Sequence, residues 1–244
     1  MKTCLILIVI SLLLTDAKYG QAQGVNWLAS KWSLEAVFSP NYSNRILTNS
    51  GNEQWHKEER DGAEIGRMGY STRFVLNHHV HERWQISLGL GYSSIGFDTK
   101  PVALSWASTV SDAPSELRTS SRYSYAGIYL LGNYKLVQLN RWNCYLTFGA
   151  VMHTYLDKNT VTSSKINGNW SSNSNWGSEY DRHNLFAILG IHNTYQLING
   201  LSLVANLNFS QAVTPSNNQS RTKELLNYLS LDVGLQFRFG RKPK

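Results

Sequence analysis

Between Leu229 and Phe239 every odd-numbered position is apolar and every even-numbered position is polar or glycine. Side chains alternate across a β-strand, so a strict period of two marks a strand with one apolar and one polar face. A strand of a soluble sandwich can carry the same pattern. What separates the two cases is the number of such segments and what joins them. Eight segments alternate in this way: Trp32–Pro40, Arg67–Leu76, Trp84–Gly96, Arg122–Leu136, Trp142–Tyr155, Asn184–Leu197, Leu201–Gln211 and Tyr228–Phe239. Most reach the roughly 9–11 residues that a tilted strand needs to cross a bilayer, against about 5–6 in soluble domains. The connections sort by length. Those at 77–83, 137–141 and 198–200 are short, and those at 41–66, 97–121, 156–183 and 212–227 are long. Short turns at one end and long loops at the other are the layout of an outer-membrane barrel. The expected fold is all-β: a single eight-stranded antiparallel up-and-down transmembrane β-barrel, with both termini at the periplasmic, short-turn end.

Composition fits this reading. The mean hydropathy of −0.31 excludes a helical membrane protein, whereas a barrel hides its apolar face by alternation. The net charge of +7 comes from scattered lysines and arginines. It suits anionic lipid headgroups better than nucleic acid, which calls for a clustered basic face. The expected partners are therefore outer-membrane lipid and lipopolysaccharide, with an envelope protein as a further candidate and no nucleic acid. Lys2 followed by the apolar run Cys4–Leu14 reads as a secretory signal peptide, because the run is too short to span a bilayer. Gly20-Gln21-Ala22 places cleavage before Gln23, with a cut after Ala17 as the alternative. The domains are then a signal peptide over 1–22 and a barrel over 23–244, destined for the outer membrane. Only Cys144 survives cleavage, which excludes an intramolecular disulfide. A monomeric barrel is expected.

Trp32, Trp84 and Trp142 each open an odd-numbered strand, so all three fall at the periplasmic rim, with Tyr134 and Tyr195 nearby. Tyr92, Tyr123 and Tyr155 fall near the outer rim. Amphipathic rings favour headgroup level, and these residues make an aromatic girdle. Strand parity turns Glu35, Arg67, Arg73, Lys135, Asp232, Arg238, Asn133, His153, His192, Asn206 and Asn208 toward the lumen. Eight strands leave a lumen just wide enough for side chains to fill it. Buried charges there must pair. Glu35 lies at a depth similar to Arg73 and Arg238 on the two flanking strands, so an Arg73–Glu35–Arg238 cluster is expected as a structural plug.

Candidate chemistry is sparse. His78-His79-Val80-His81 has only Glu82 nearby, and reads as a solvated turn rather than a metal site. A lipid-modifying barrel enzyme acting on lipid A or phospholipid is the alternative function. It would need His, Ser and a carboxylate near the outer leaflet. His153 and Ser210 approach that level, and His192 lies deeper, but no motif joins them to an acid. No phosphate-binding or dinucleotide loop is present, and no cofactor is expected. Loop 41–66 carries Trp55 and His56 among mixed charges, and loop 156–183 is rich in Asn, Ser, Gly and Trp. Both read as surface loops that can bind glycans or proteins.

The run Leu88-Gly89-Leu90-Gly91-Tyr92-Ser93-Ser94-Ile95-Gly96-Phe97 resembles a strand of the PorT-type outer-membrane β-barrel proteins of Bacteroidetes. The opening Trp32-Ser33-Leu34 through Phe38-Ser39-Pro40-Asn41-Tyr42-Ser43 is similar to that family's first strand. The resemblance implies an eight-stranded outer-membrane barrel and no reaction. The expected function is thus a non-catalytic barrel with long extracellular loops, serving as scaffold, adhesin, or component of an envelope or secretion assembly.

Overall fold

A computed structural model describes residues 31–49, 62–106, 113–177, 183–215 and 222–239. The proposed leader, most of the charged stretch within 41–66, and the last five residues lie outside them. Ten strands are present: β1 (Trp32–Asn49), β2 (Glu64–His81), β3 (Trp84–Thr99), β4 (Val102–Ala103), β5 (Glu116–Gln138), β6 (Trp142–Ile166), β7 (Asn169–Gly177), β8 (His183–Ile198), β9 (Leu201–Ala212) and β10 (Thr222–Phe239). Eight of them, β1-β2-β3-β5-β6-β8-β9-β10, close into an antiparallel up-and-down ring through the β1–β10 pairing. The ladder from β1 to β10 skips Ser39 and Pro40, since proline has no N–H to donate.

Alternation explains which face each residue takes. Leu34, Phe38, Phe74, Leu90, Leu130 and Leu231 lie exposed on the outside. Their neighbours Ser33, Glu35, Arg73, Gly89 and Asp232 point inward. A continuous apolar belt around a closed ladder is stable only where hydrocarbon covers it, and closure leaves no unpaired edge in the lipid. Among the described residues no helix is long and apolar enough to cross a membrane, so the crossing falls to the strands. The fold is a transmembrane β-barrel.

The expected strand ends need correction at the long-loop side. β1 continues to Asn49 rather than stopping at Pro40, β5 begins at Glu116 rather than Arg122, and β6 runs to Ile166 rather than Tyr155. Beyond the lipid the outer face no longer has to be apolar, so the alternation fades while the backbone ladder goes on. The segment 156–183, expected as a loop, contains the end of β6, a turn at Asn167-Gly168, and β7. Asn167 has φ of 50° and Gly168 of 81°, the positive values that a tight two-residue hairpin demands. Together with β4 these extensions stand above the barrel as a crown, in the order β4-β5-β6-β7. The short turns are Glu82-Arg83, Leu139–Arg141 and Asn199-Gly200.

Candidate functional site

The inside of the barrel divides into two layers and a lid. Near the short-turn end it is polar. Asn77 Nδ2 donates to Glu35 Oε2 at 3.3 Å, Ser87 Oγ to Asn77 Oδ1 at 2.5 Å, Asn133 Nδ2 to Ser87 Oγ at 2.8 Å, and Thr147 Oγ1 to Asn133 Oδ1 at 2.6 Å. This chain crosses β1, β2, β3, β5 and β6. His192 Nε2 approaches Glu35 Oε2 at 4.0 Å. Asp232, fully buried, accepts from Arg73, from Asn206 Nδ2 at 3.2 Å and from Asn208 Nδ2 at 2.6 Å. The void among Glu35, Arg73, Asn77, Asn133 and His192 has room for about one water.

Toward the long-loop end the filling turns aromatic. Tyr125, Tyr129, Tyr228, Phe186, Ile95 and Phe97 form one buried cluster. His153 lies inside it, 0% exposed, with its ring 4.9 Å from Phe186 and Nε2 3.4 Å from the Tyr228 hydroxyl. The glycines of β3 make this layer fit. A Cβ on Gly91 would stand 3.1 Å from the Tyr129 ring and 2.6 Å from the Thr72 carbonyl. The Leu88–Ser93 motif therefore works as a wall: leucines face out, while Gly89 and Gly91 make room for Tyr129, whose hydroxyl meets Ser93 Oγ at 3.2 Å. Above the aromatics, Arg45 pairs with Glu64, and with Glu224 at 2.6 Å, over the face of Phe97 at 3.7 Å.

Several expected placements change. Arg73 forms its ion pair with Asp232 rather than Glu35. Arg238 registers opposite Ser33, one step nearer the turn end than Glu35. The proposed three-residue cluster is thus redrawn: Arg73 pairs with Asp232, Glu35 meets Asn77 and His192, and both groups border one void. Parity had located the inward face for Glu35, Arg73 and Asp232, but not for Arg67, which lies in the register shift between Gly66 and Tyr70, and not the shear of the barrel, which decides which inward residues meet. Arg67 reaches Asp98 at 3.1 Å, near the crown. Lys135 sits at the turn-end mouth, 3.0 Å from Gln138 Oε1 and near the Tyr145 ring. Trp32, Trp84 and Trp142 stand on the outer face at that end. Trp84 packs on Tyr134 and Phe148. Tyr123, expected at the outer girdle, is instead buried in the lumen, and Tyr155 packs inward on Tyr125. The histidine triplet belongs to the end of β2 and not to a turn. His78 packs on Trp32 at 4.1 Å. His79 is half-buried at the mouth, and burial, with help from Arg238 and Lys135, lowers its pKa to about 4. Among the described residues no three His, Cys, Asp or Glu side chains converge as metal ligands.

Sequence reasoning missed the Arg45–Glu64–Glu224 lid. The signal was present: Ser39, Asn41, Ser43, Arg45 and Leu47 keep the inward parity of β1 well past Pro40. It also missed the β6–β7 hairpin, which the dipeptide Asn167-Gly168 announces.

No family model matches the sequence, and no curated protein matches it significantly. Among solved structures it is similar to Neisserial surface protein A, with 11% identity, 86% of this chain and 98% of that one covered, and a TM-score of 0.44. It is similar to the outer membrane protein OprG of Pseudomonas aeruginosa, with 11% identity, 87% and 97% coverage, and a TM-score of 0.39. It is also similar to the outer membrane protease OmpT of Escherichia coli, with 8% identity, 89% and 99% coverage, and a TM-score of 0.42. Likenesses at this level carry nothing about activity.

Proposed function

We propose that this chain is a non-catalytic outer-membrane protein whose barrel anchors and whose crown acts, as scaffold, adhesin or component of an envelope assembly. The observation that carries the reading is the contrast between a lumen that the described residues fill through its depth and strands that run on well beyond the apolar belt. A pore needs an open lumen, and an anchor needs only a filled one. The crown is ordered β-structure lined with Trp106, Trp170 and Trp176, the amphipathic side chains that serve recognition surfaces. Export through a cleaved leader sets the short-turn end in the periplasm and the crown outside. Exposed Arg118 and Arg122 on the outer flank of β5 suit lipopolysaccharide phosphates. The resemblance of Leu88–Ser93 to PorT-type barrels gives the envelope-assembly version some weight.

The lipid-modifying alternative draws no support from the geometry, since His153 is sealed among aromatic rings away from any acyl chain. The test joins two measurements on the full chain. In planar bilayers it should give no steady conductance, and mass spectrometry of lipid A from cells with and without it should give identical spectra. An ohmic current would overturn the anchor reading, and a changed acylation pattern would overturn the non-catalytic one.

A further inference from the structure

The geometry points to a homophilic contact: we propose that the edge of β7 pairs antiparallel with β7 of a second copy in an apposed membrane. The inference rests on the reading above that the crown faces outward. β7 is the last strand of the crown, and among the described residues it is hydrogen-bonded to β6 alone. An exposed edge is normally blunted by lysine, proline or a bulge. The nine residues Asn169-Trp170-Ser171-Ser172-Asn173-Ser174-Asn175-Trp176-Gly177 contain no charge and no proline. The β6–β7 ladder runs without a register shift.

The sequence says what fits. It is nearly symmetric about Asn173: Ser172 mirrors Ser174, Ser171 mirrors Asn175, and Trp170 mirrors Trp176. An antiparallel partner of the same sequence, centred on Asn173, sets Trp170 of each copy opposite Trp176 of the other. Trp176 is 63% exposed and would be covered by this pairing. Trp170 is already held on one face by Arg118, 4.4 Å away. No foreign segment is singled out in this way, because the strand offers neither a charge to match nor a pocket to fill.

Symmetry selects the apposed membrane. Two copies in one bilayer are related by an axis along its normal. At a strand tilt of about 40°, such an axis brings the two β7 edges together at a steep crossing angle. Copies in facing bilayers are related by an axis in the membrane plane, which allows a true antiparallel ladder. A nine-residue strand pair buries less than the roughly 1,000 Å² of a stable interface in solution. The contact therefore works through many copies held on two surfaces.

The test uses the full mature chain in phosphatidylcholine vesicles, with clustering followed by light scattering. Vesicles carrying the protein should cluster, and bare vesicles should not. In the proposed register residue 172 faces residue 174 of the partner. Ser172→Lys with Ser174→Lys then opposes like charges and should slow clustering by roughly tenfold or more. Ser172→Lys with Ser174→Glu opposes unlike charges and should restore it. Heat-modifiable gel mobility shows that each barrel is folded. Absence of clustering by the unaltered protein, or equal clustering by both charge variants, would overturn the proposal. Labelling of Asn173→Cys in a Cys144→Ser background, with a membrane-impermeant maleimide on intact cells, reads the orientation separately. Labelled cells with no vesicle clustering sink the contact alone, and unlabelled cells sink the outward crown with it.

Discussion

The two layers of the lumen solve one problem with opposite chemistry. Both must fill the inside of an eight-stranded barrel. The layer near the turns does so with charges and amides in a hydrogen-bonded chain from Glu35 to Thr147 and a node at Asp232. The layer near the crown does so with rings around Phe186 and Tyr129. A polar filling is stable only when every partner stays in place, because a buried charge left alone costs far more than the pair contributes. An aromatic filling rests on volume, and its cost of damage is a cavity. The two layers therefore differ less in how much they stabilise than in how they fail.

Substitutions can expose that difference. Asp232→Ala removes the acceptor of Arg73, Asn206 and Asn208 together, and should destabilise the barrel by about 3–5 kcal/mol in urea unfolding from vesicles. Arg73→Met with Asp232→Leu should recover part of the loss, since only the two amides then lack an acceptor. A double variant no better than the single would break the account of this layer. Phe186→Ala should cost about 3–4 kcal/mol through its cavity, and a small apolar ligand such as benzene should return part of it. No benzene effect would mean that the rings collapse inward. Glu35→Gln keeps the shape but loses the charge beside His192, and should lower thermal stability by about 1–2 kcal/mol. An unchanged melting temperature would remove Glu35 from the plug.

The mouth adds a pH signature at a histidine that the polar network does not hold. His79 has its pKa lowered to about 4 in the folded barrel, by burial first and then by Arg238 and Lys135. A depressed histidine is neutral when folded and takes up its proton more readily when unfolded. Its contribution is therefore full above the unfolded value near 6.5 and is lost as pH falls from there toward 4. The loss should be on the order of 1 kcal/mol after screening at the rim, and His79→Gln should lessen the slope of the stability curve in that window. The smallest effect is expected from His153→Phe. This ring has one long polar contact, to Tyr228 at 3.4 Å, among aromatic neighbours. The change should stay within about 1 kcal/mol. A larger loss would show that the aromatic layer also depends on a hydrogen bond.

Two Asn-Gly dipeptides show what could be read and what was passed over. Asn199-Gly200 stands between two plainly alternating segments and reads as a turn at once. Asn167-Gly168 makes an equally tight hairpin, but its flanks mix Lys165, Ile166 and Trp170 with serines and asparagines and show no apolar period of two. A reading that looks for an apolar face finds none there. The crown was hidden for the same reason, whereas Arg45 keeps the parity of β1 beyond Pro40, with Tyr42 and Ile46 still exposed on the outer face.

The sequence alone determined the eight crossing strands, their faces, and the end at which the turns lie, because lipid on one side and side-chain filling on the other write a period of two into every strand. It also placed Glu35, Arg73 and Asp232 inside. Which of them would meet was decided by the tertiary structure. Closing the ring imposes a stagger between neighbouring strands, and that stagger moves Arg73 to Asp232 and leaves Glu35 to Asn77 and His192. Parity is a property of one strand, whereas shear belongs to all eight together.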